Sequence, residues 1–156
     1  MEISYGHIDG IKIGQIFETR QALIDAGMHP HREAGIWGSS KNAACSIVLS
    51  GGYEDDLDEL DFVLYTGHGG QKNKVQVADQ DFSAKRGWGN KGLVISYESN
   101  LPVRVIRGYQ IDNGPTSGYR YDGLYYVEKY ERVRGKSGYF VCLFYLRSEL
   151  QIQSLE

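Results

Sequence analysis

The chain has 156 residues, 41% hydrophobic and 24% charged, with seventeen lysines and arginines against twenty acidic residues. That length suits one domain with a sizeable core, and the composition excludes a disordered chain. No apolar run approaches the eighteen residues of a membrane-spanning helix, no basic-then-apolar opening marks a secretory signal, and a net charge of −3 argues against a uniformly basic nucleic-acid binder.

In chain order, Ile11 to Ile16 alternates apolar with small or polar residues and leads into a helix from roughly Ile16 to Ala26, which Gly27 stops. Residues 28–40, MHPHREAGIWGSS, read as irregular because of their proline and glycines. ACSIVLS (44–50) and DFVLYTG (61–67) read as neighbouring strands flanking an acidic bend. Residues 71–87 are polar and read as an exposed loop, and GNKGLVISYESN (89–100) as a short helix. VRVIRGYQI (103–111), YRYDGLYYVEKYERV (119–133) and GYFVCLFYL (138–146) have the β-branched and aromatic pattern of strands, with Gly135 to Gly138 as the turn between the last two. Twenty glycines and twelve tyrosines fit a turn-rich β architecture. The sum is one α+β domain over residues 1–156, on a curved, mostly antiparallel sheet. Its end at Leu155-Glu156 suits a domain excised from a longer protein, with the last residues contributed by a vector.

Charge is unevenly spread. Residues 1–61 hold four basic and eleven acidic residues, a balance of −7, and residues 62–156 hold thirteen and nine, a balance of +4. An acidic half beside a basic half permits a one-sided electrostatic footprint, although an ordinary mixed surface has the same statistics. Cys45 and Cys142 read most simply as buried thiols in a reducing compartment.

The stretch SGGYEDDLDELDFVLYTGHGG (50–70) sets Tyr53 and Tyr65 around an acidic turn and between two glycine pairs. Two aromatic plates, a carboxylate and bare backbone are what is needed to hold one nucleobase drawn out of a duplex. The rings stack on its faces, and Asp56 accepts from an exocyclic amine, as acidic side chains do from cytosine N4. Gly51 and Gly52 let main-chain groups approach the base edge.

Four ordered blocks resemble the SET- and RING-associated domain, also called the YDG domain after Tyr121-Asp122-Gly123. They are AGIWGSSKNAACSIVLSGG (34–52) running on through Gly70, Asp79-Gln80, PVRVIRGY (102–109) and GYRYDGLYYVEKYERVRGKSGYFVCLFYLR (118–147). The resemblance covers about residues 5 to 147. It implies a PUA-like, barrel-shaped curved β fold flanked by short helices, and binding of double-stranded DNA whose 5-methylcytosine or 5-hydroxymethylcytosine is flipped into a pocket. It implies that Tyr53 and Tyr65 stack on the base, Asp56 reads its amino edge, and Thr66 lies near the 5-substituent and O2. Ser50, Gly51 and Gly52 are then the backbone at the base. Three departures stand out. His68 replaces a serine of well-known methyl readers and alters the surroundings of the 5-substituent or a nearby phosphate. Glu33 occupies the place of an apolar wedge. The loop from Gln71 to Ala78 is shorter than the family's base-reading finger, so selectivity for hemimethylated sites does not carry over. Candidate backbone and groove contacts are Arg32, Glu33, Gln71, Lys72, Lys74, Lys85, Arg86 and Lys91, with the amides around Ser39 and Gly69.

Other motifs carry less. The run from Glu54 to Asp61 lacks the ligand spacing of a calcium loop and reads as a solvated turn of which only Asp56 meets a ligand. His29-Pro30-His31 has no metal-module spacing to Cys45 or His68 and reads as a loop pair near the DNA backbone. Asp122 reads as structural, bonded to local backbone. Gly135-Lys136-Ser137 has Tyr130 where a phosphate loop needs glycine. No nucleophile–base–orienter set and no deaminase signature is present. The reading is a modified-cytosine recognition domain without chemistry, metal or cofactor of its own, from a bacterial modification-dependent restriction nuclease in the nucleoid-bearing cytoplasm, or from the nucleus if eukaryotic. The rivals are a nuclease or glycosylase acting on the flipped base, and a PUA-like RNA-binding or interaction module.

Overall fold

The structure, a computed structural model, describes residues 2–155; Glu156, at the expected excision point, lies outside them. The elements are β1 (Ile16–Phe17), α1 (Arg20–Asp25), β2 (Ile36–Trp37), β3 (Ser46–Leu49), β4 (Leu57–Asp58), β5 (Phe62–Thr66), β6 (Gln71–Lys72), β7 (Val75–Gln76), α2 (Trp88–Ser99), β8 (Val103–Gly108), β9 (Tyr119–Arg134), β10 (Phe140–Ser148) and α3 (Glu149–Ser154). Eight strands form one sheet in the order β2-β3-β8-β9-β10-β5-β4, with β1 beside β9. Only β3 and β8 run parallel, which bears out the mostly antiparallel, α+β expectation.

Strand β9 is the spine. Its first residues pair with β8 and its later ones with β10, and the register shifts at Arg104/Ile106 and Tyr145/Leu146. Gly123 lies opposite the first irregularity at φ +99°, a left-handed conformation that a residue with a Cβ adopts at a cost. Such bulges bend a strand and increase its twist. The sheet curls enough for a Cβ on Gly35, next to β2, to fall 2.6 Å from the Tyr65 hydroxyl of β5.

Several expectations need correction. β3 and β5 are not neighbours, because β8, β9 and β10 lie between them. The acidic stretch does not turn β3 back onto β5; its Leu57–Asp58 form β4, which pairs antiparallel with β5 on the other edge, with residues 59–61 as the turn between them. Helix α1 begins at Arg20 rather than Ile16, since Ile16 and Phe17 pair with Arg120 and Tyr119 and Thr19 caps the helix by accepting from the Ala22 amide at 3.1 Å. Gly27 ends it at φ +75°, as anticipated. Helix α3, capped by Ser148, is not apparent in a sequence that reads as strand up to it. The segment 71–87 holds the small β6–β7 hairpin, whose turn residues Asn73 and Lys74 both have positive φ, as a two-residue turn that follows strand twist requires.

One apolar cluster lies between the sheet and α2, around Ile47, Val63, Leu93, Val105 and Phe144. A second packs α1 and the N-terminal segment on the opposite face, around Phe17, Leu23, Met28 and Tyr121. Cys45 and Cys142 are free and buried, as expected.

The buried polar centre is Arg107, 1% exposed. Its Nε and Nη2 bind both Asp58 oxygens at 2.8 and 2.7 Å, its Nη1 binds Asp122 at 2.9 Å, and Nη2 also donates to Leu60 O. Asp122 therefore serves two arginines, Arg107 and Arg120, and not local backbone. Burial would raise the Asp58 carboxyl, but the hydrogen bonds and charge of Arg107 outweigh it and hold the group below its usual range. Removing one member of such a buried set strands charge without a partner. Arg107→Met is expected to lower unfolding free energy by about 3–5 kcal/mol, measured by urea denaturation at pH 7. A loss under 1 kcal/mol would refute the assignment.

Candidate nucleic-acid interface

Three chain segments converge on one cavity. Strand β3 and the loop leaving it bring Val48, Ser50 and Tyr53, the end of β5 brings Tyr65, Thr66, Gly67 and His68, and Glu33, Gly35 and Gln71 complete the lining. The two rings expected from sequence to face one base thus wall the same small space. Tyr53 is half-buried and Tyr65 buried. Two glycines set the rings in place. A Cβ on Gly51 would lie 2.5 Å from the Tyr53 ring, and one on Gly35 would meet the Tyr65 hydroxyl. Gly51 thus supports the ring itself as well as opening the backbone. Gly35 escaped the sequence reading; its only signal there was a place in the AGIWG block.

Asp56 lies beside Tyr53 on the wall of an adjoining larger hollow formed with Gln110, Ile111, Asp112 and Asn113. Its Oδ1 accepts from the Thr66 amide at 2.8 Å. Burial pushes the Asp56 carboxyl up to about 6, against the lowering effect of the Thr66 hydroxyl and amide, and Asp55 adds to the rise. The Thr66 hydroxyl is near enough to act on that carboxyl, yet Oγ1 is buried and closes no hydrogen bond of good geometry. Burial raises both the Tyr53 and Tyr65 phenols, so both rings stay neutral.

The acidic run is not the solvated turn expected. Asp55 accepts from the Lys136 amide at 3.0 Å and packs against Gly135, where a Cβ would fall 2.5 Å from its Oδ2. Asp58 is held by Arg107, and Asp61 accepts from the Ser148 hydroxyl at 2.7 Å. The discarded Gly-Lys-Ser triplet therefore has a structural use at the tip of the β9–β10 hairpin.

His68 lines the cavity with its ring fixed. Its Nε2 accepts from the Gly89 amide at 3.0 Å, and its ring lies 4.7 Å from that of Trp88. An acceptor Nε2 leaves the proton on Nδ1, and burial lowers the imidazole pKa. His29 is fully buried, its Nε2 donating to Ala34 O at 2.9 Å and its Nδ1 paired with the Ser46 hydroxyl at 2.7 Å. Burial lowers it to about 3. His29 is thus a neutral core residue, contrary to the expectation of a contact near the DNA backbone.

Arg32, Lys72, Lys74, Lys85 and Arg86 are exposed and Lys91 is partly so. None of the six is ion-paired among the described residues. Glu33 is exposed at the cavity rim. Gly69 adjoins His68 and Arg86. Ser39 lies instead in a separate hollow with Trp37 and Asn42, its hydroxyl accepting from the Lys41 and Asn42 amides.

The profile of the SAD/SRA domain matches residues 4–151. The chain is 35% identical over 165 residues to the E3 ubiquitin-protein ligase UHRF1 of Rattus norvegicus, which covers 93% of this chain but 21% of that protein. Among solved structures, a modification-dependent TagI restriction endonuclease superposes with a TM-score of 0.85 at 45% identity, over 92% of this chain and 52% of that one. The SUVH5 SRA domain bound to fully hydroxymethylated CG DNA superposes with a TM-score of 0.78 at 37% identity, over 94% of both chains. With the sheet order, the twin-tyrosine cavity and a profile match along nearly the whole length, the chain belongs to the SAD/SRA domain family.

Proposed function

We propose that this domain reads double-stranded DNA containing a 5-modified cytosine by drawing the base out of the duplex and seating it between Tyr53 and Tyr65. The observation that carries this reading is the cavity walled by the two tyrosines, in which the buried Thr66 hydroxyl, beside the Asp56 carboxyl, closes no hydrogen bond of good geometry. Buried polar groups are normally paired, so an incoming ligand with polar edges is the natural completion. A carboxylate has about four acceptor sites, and the Thr66 amide occupies one on Asp56; the remainder suit a cytosine amino group. We further propose that the domain performs no chemistry and serves as the recognition part of a bacterial modification-dependent restriction endonuclease acting in the cytoplasm. The likeness to TagI supports that context, as do the short finger and Glu33 at the rim.

The energies are compatible with flipping. Extrusion costs a few kcal/mol, and stacking returns roughly 1–3 kcal/mol per base–aromatic contact. Phosphate contacts then supply affinity with a steep salt dependence, from the unpaired cations named above. One added methyl group contributes about 0.8 kcal/mol by burial, a preference of roughly fourfold, so sharper discrimination must come from the cavity wall near Thr66 and His68.

Competition among unmodified, 5-methyl, 5-hydroxymethyl and glucosylated duplexes at fixed salt tests the function. Preference for a modified duplex supports it, and equal affinities refute it. Tyr53→Ala is expected to weaken modified-DNA binding by about 1–3 kcal/mol with an unchanged salt slope; an unchanged affinity would remove Tyr53 from the site.

Asp56 supplies a test by pH. Its folded-state pKa is raised, so the folded form binds the proton more tightly. The stability this brings is full below the ordinary carboxylate range and is lost as pH rises through about 6. At pH 7 the ionised group thus costs the fold on the order of 3 kcal/mol, at about 1.4 kcal/mol per unit. Asp56→Asn is expected to raise the melting temperature at pH 7 while abolishing the preference for modified cytosine. In the wild type that preference should weaken as pH falls below 6. A destabilised Asp56→Asn domain with intact preference would contradict both parts.

A further inference from the structure

Strand β7, the segment 79–81 and the first turn of α2 carry three buried side-chain amides that the proposed base contacts do not use. Gln76, Gln80 and Asn90 are 3%, 2% and 0% exposed, the first two in residues 71–87, whose sequence reads as an exposed polar loop. Where β5 ends, the Gly67 amide donates to Cys142 O at 2.8 Å, but the return bond of the ladder is not made directly. The Gln80 side chain is inserted there instead. Its Oε1 accepts from the Cys142 amide at 2.9 Å and its Nε2 donates to Gly67 O at 2.7 Å. Only a group with a donor and an acceptor on one planar end fills that place, which is what a primary amide offers.

The other two amides continue the seam. Gln76 Nε2 donates to Gly69 O at 2.8 Å and to Ala78 O at 2.7 Å. Asn90 takes both sides of His68, accepting from its amide at 2.8 Å and donating to its carbonyl at 3.0 Å. Gly70 O accepts from the Val77 and Ala78 amides. Packing is close as well, since a Cβ on Gly67 would fall 2.4 Å from Asn90 Oδ1 and one on Gly70 2.6 Å from Ala78 O. Both feet of the β6–β7 hairpin are therefore fastened to β10 and α2 by neutral side chains. The segment so fastened includes Gly67 and His68 of the cavity wall and leads directly to Lys72 and Lys74.

We propose that Gln80, Gln76 and Asn90 are positioning residues for DNA recognition: they hold the β6–β7 finger and the His68 wall in the orientation in which they meet DNA, without touching it. This rests on the reading of the domain as a modified-cytosine binder. Holding a contact surface in its bound conformation removes an ordering cost from binding, whereas a loose hairpin of two two-residue strands is marginal by itself.

The test uses Gln80→Met and Gln76→Ala with a duplex carrying one 5-methylcytosine and with its unmodified counterpart, well below each variant's melting temperature. In both variants the Val77 and Ala78 amides should exchange with solvent at least tenfold faster. Affinity for the modified duplex should fall fivefold or more, with the slope of log K against log salt unchanged because no phosphate contact is removed. If Gln80→Met does not fold, Gln76→Ala, which leaves the Gly67–Cys142 seam intact, decides the matter. Faster exchange with undiminished affinity would show that the amides serve the fold alone, and unchanged exchange would show that they do not hold the finger; either result overturns the proposal. A wild-type domain without preference for the modified duplex would overturn the functional reading itself, which the same titrations reveal separately.

Discussion

Everything at the cavity depends on how a loop rich in carboxylates is kept still. Between Gly52 and Phe62 the chain carries four aspartates, and each finds a different partner. Asp55 takes the hairpin-tip amide of Lys136, Asp56 the amide of Thr66, Asp58 the buried guanidinium of Arg107, and Asp61 the hydroxyl of Ser148. These anchors lie on β10, β5, β8 and the hairpin between β9 and β10, so the loop joins the far parts of the curled sheet. Tyr53 and Asp56 inherit their positions from those bonds. Of the four, the Arg107 set matters most, because its charges are too deep to be left single.

The same arrangement bears on the net negative charge. Asp58 and Asp122 are neutralised internally by Arg107 and Arg120, and Asp55 and Asp61 are bonded inward. The cations nominated for phosphate contact are exposed and have no carboxylate partner among the described residues. A chain with an acidic total can thus present basic groups to a polyanion, since steering depends on the distribution of charge and not on its sum. Asp56 is the exception: its ionised form is held in a buried place at a cost to stability, as binding groups often are.

Much of this was legible in the sequence. The long strands, the helix at Trp88–Ser99 and the stop at Gly27 follow from local patterns. Tyr53, Tyr65, Thr66 and His68 do come together, as their order in the chain suggested. What local pattern does not encode is pairing. β3 and β5 read as neighbours because they are close in sequence, but β8, β9 and β10 come between them. The amides of Gln76 and Gln80 read as loop polarity because burial of a polar side chain depends on distant backbone, here Gly67 and Cys142. Gly35 and Gly135 likewise gain their meaning from Tyr65 and Asp55, far along the chain. His29-Pro30-His31 reads as a loop pair near the DNA backbone, whereas the partners that bury His29, Ser46 and Ala34, leave no mark in the local spacing.

The most direct test of the account is whether a base leaves the duplex and enters the space between the tyrosines. With 2-aminopurine placed next to the modified cytosine, its emission reports the loss of stacking when the neighbour is extruded. The account predicts a rise on binding a duplex with 5-methylcytosine, little change with the unmodified duplex, and loss of the rise in Tyr53→Ala. Tight, modification-dependent binding with no change in emission would contradict it, because the modified base would then be read from the groove with the cavity left unused.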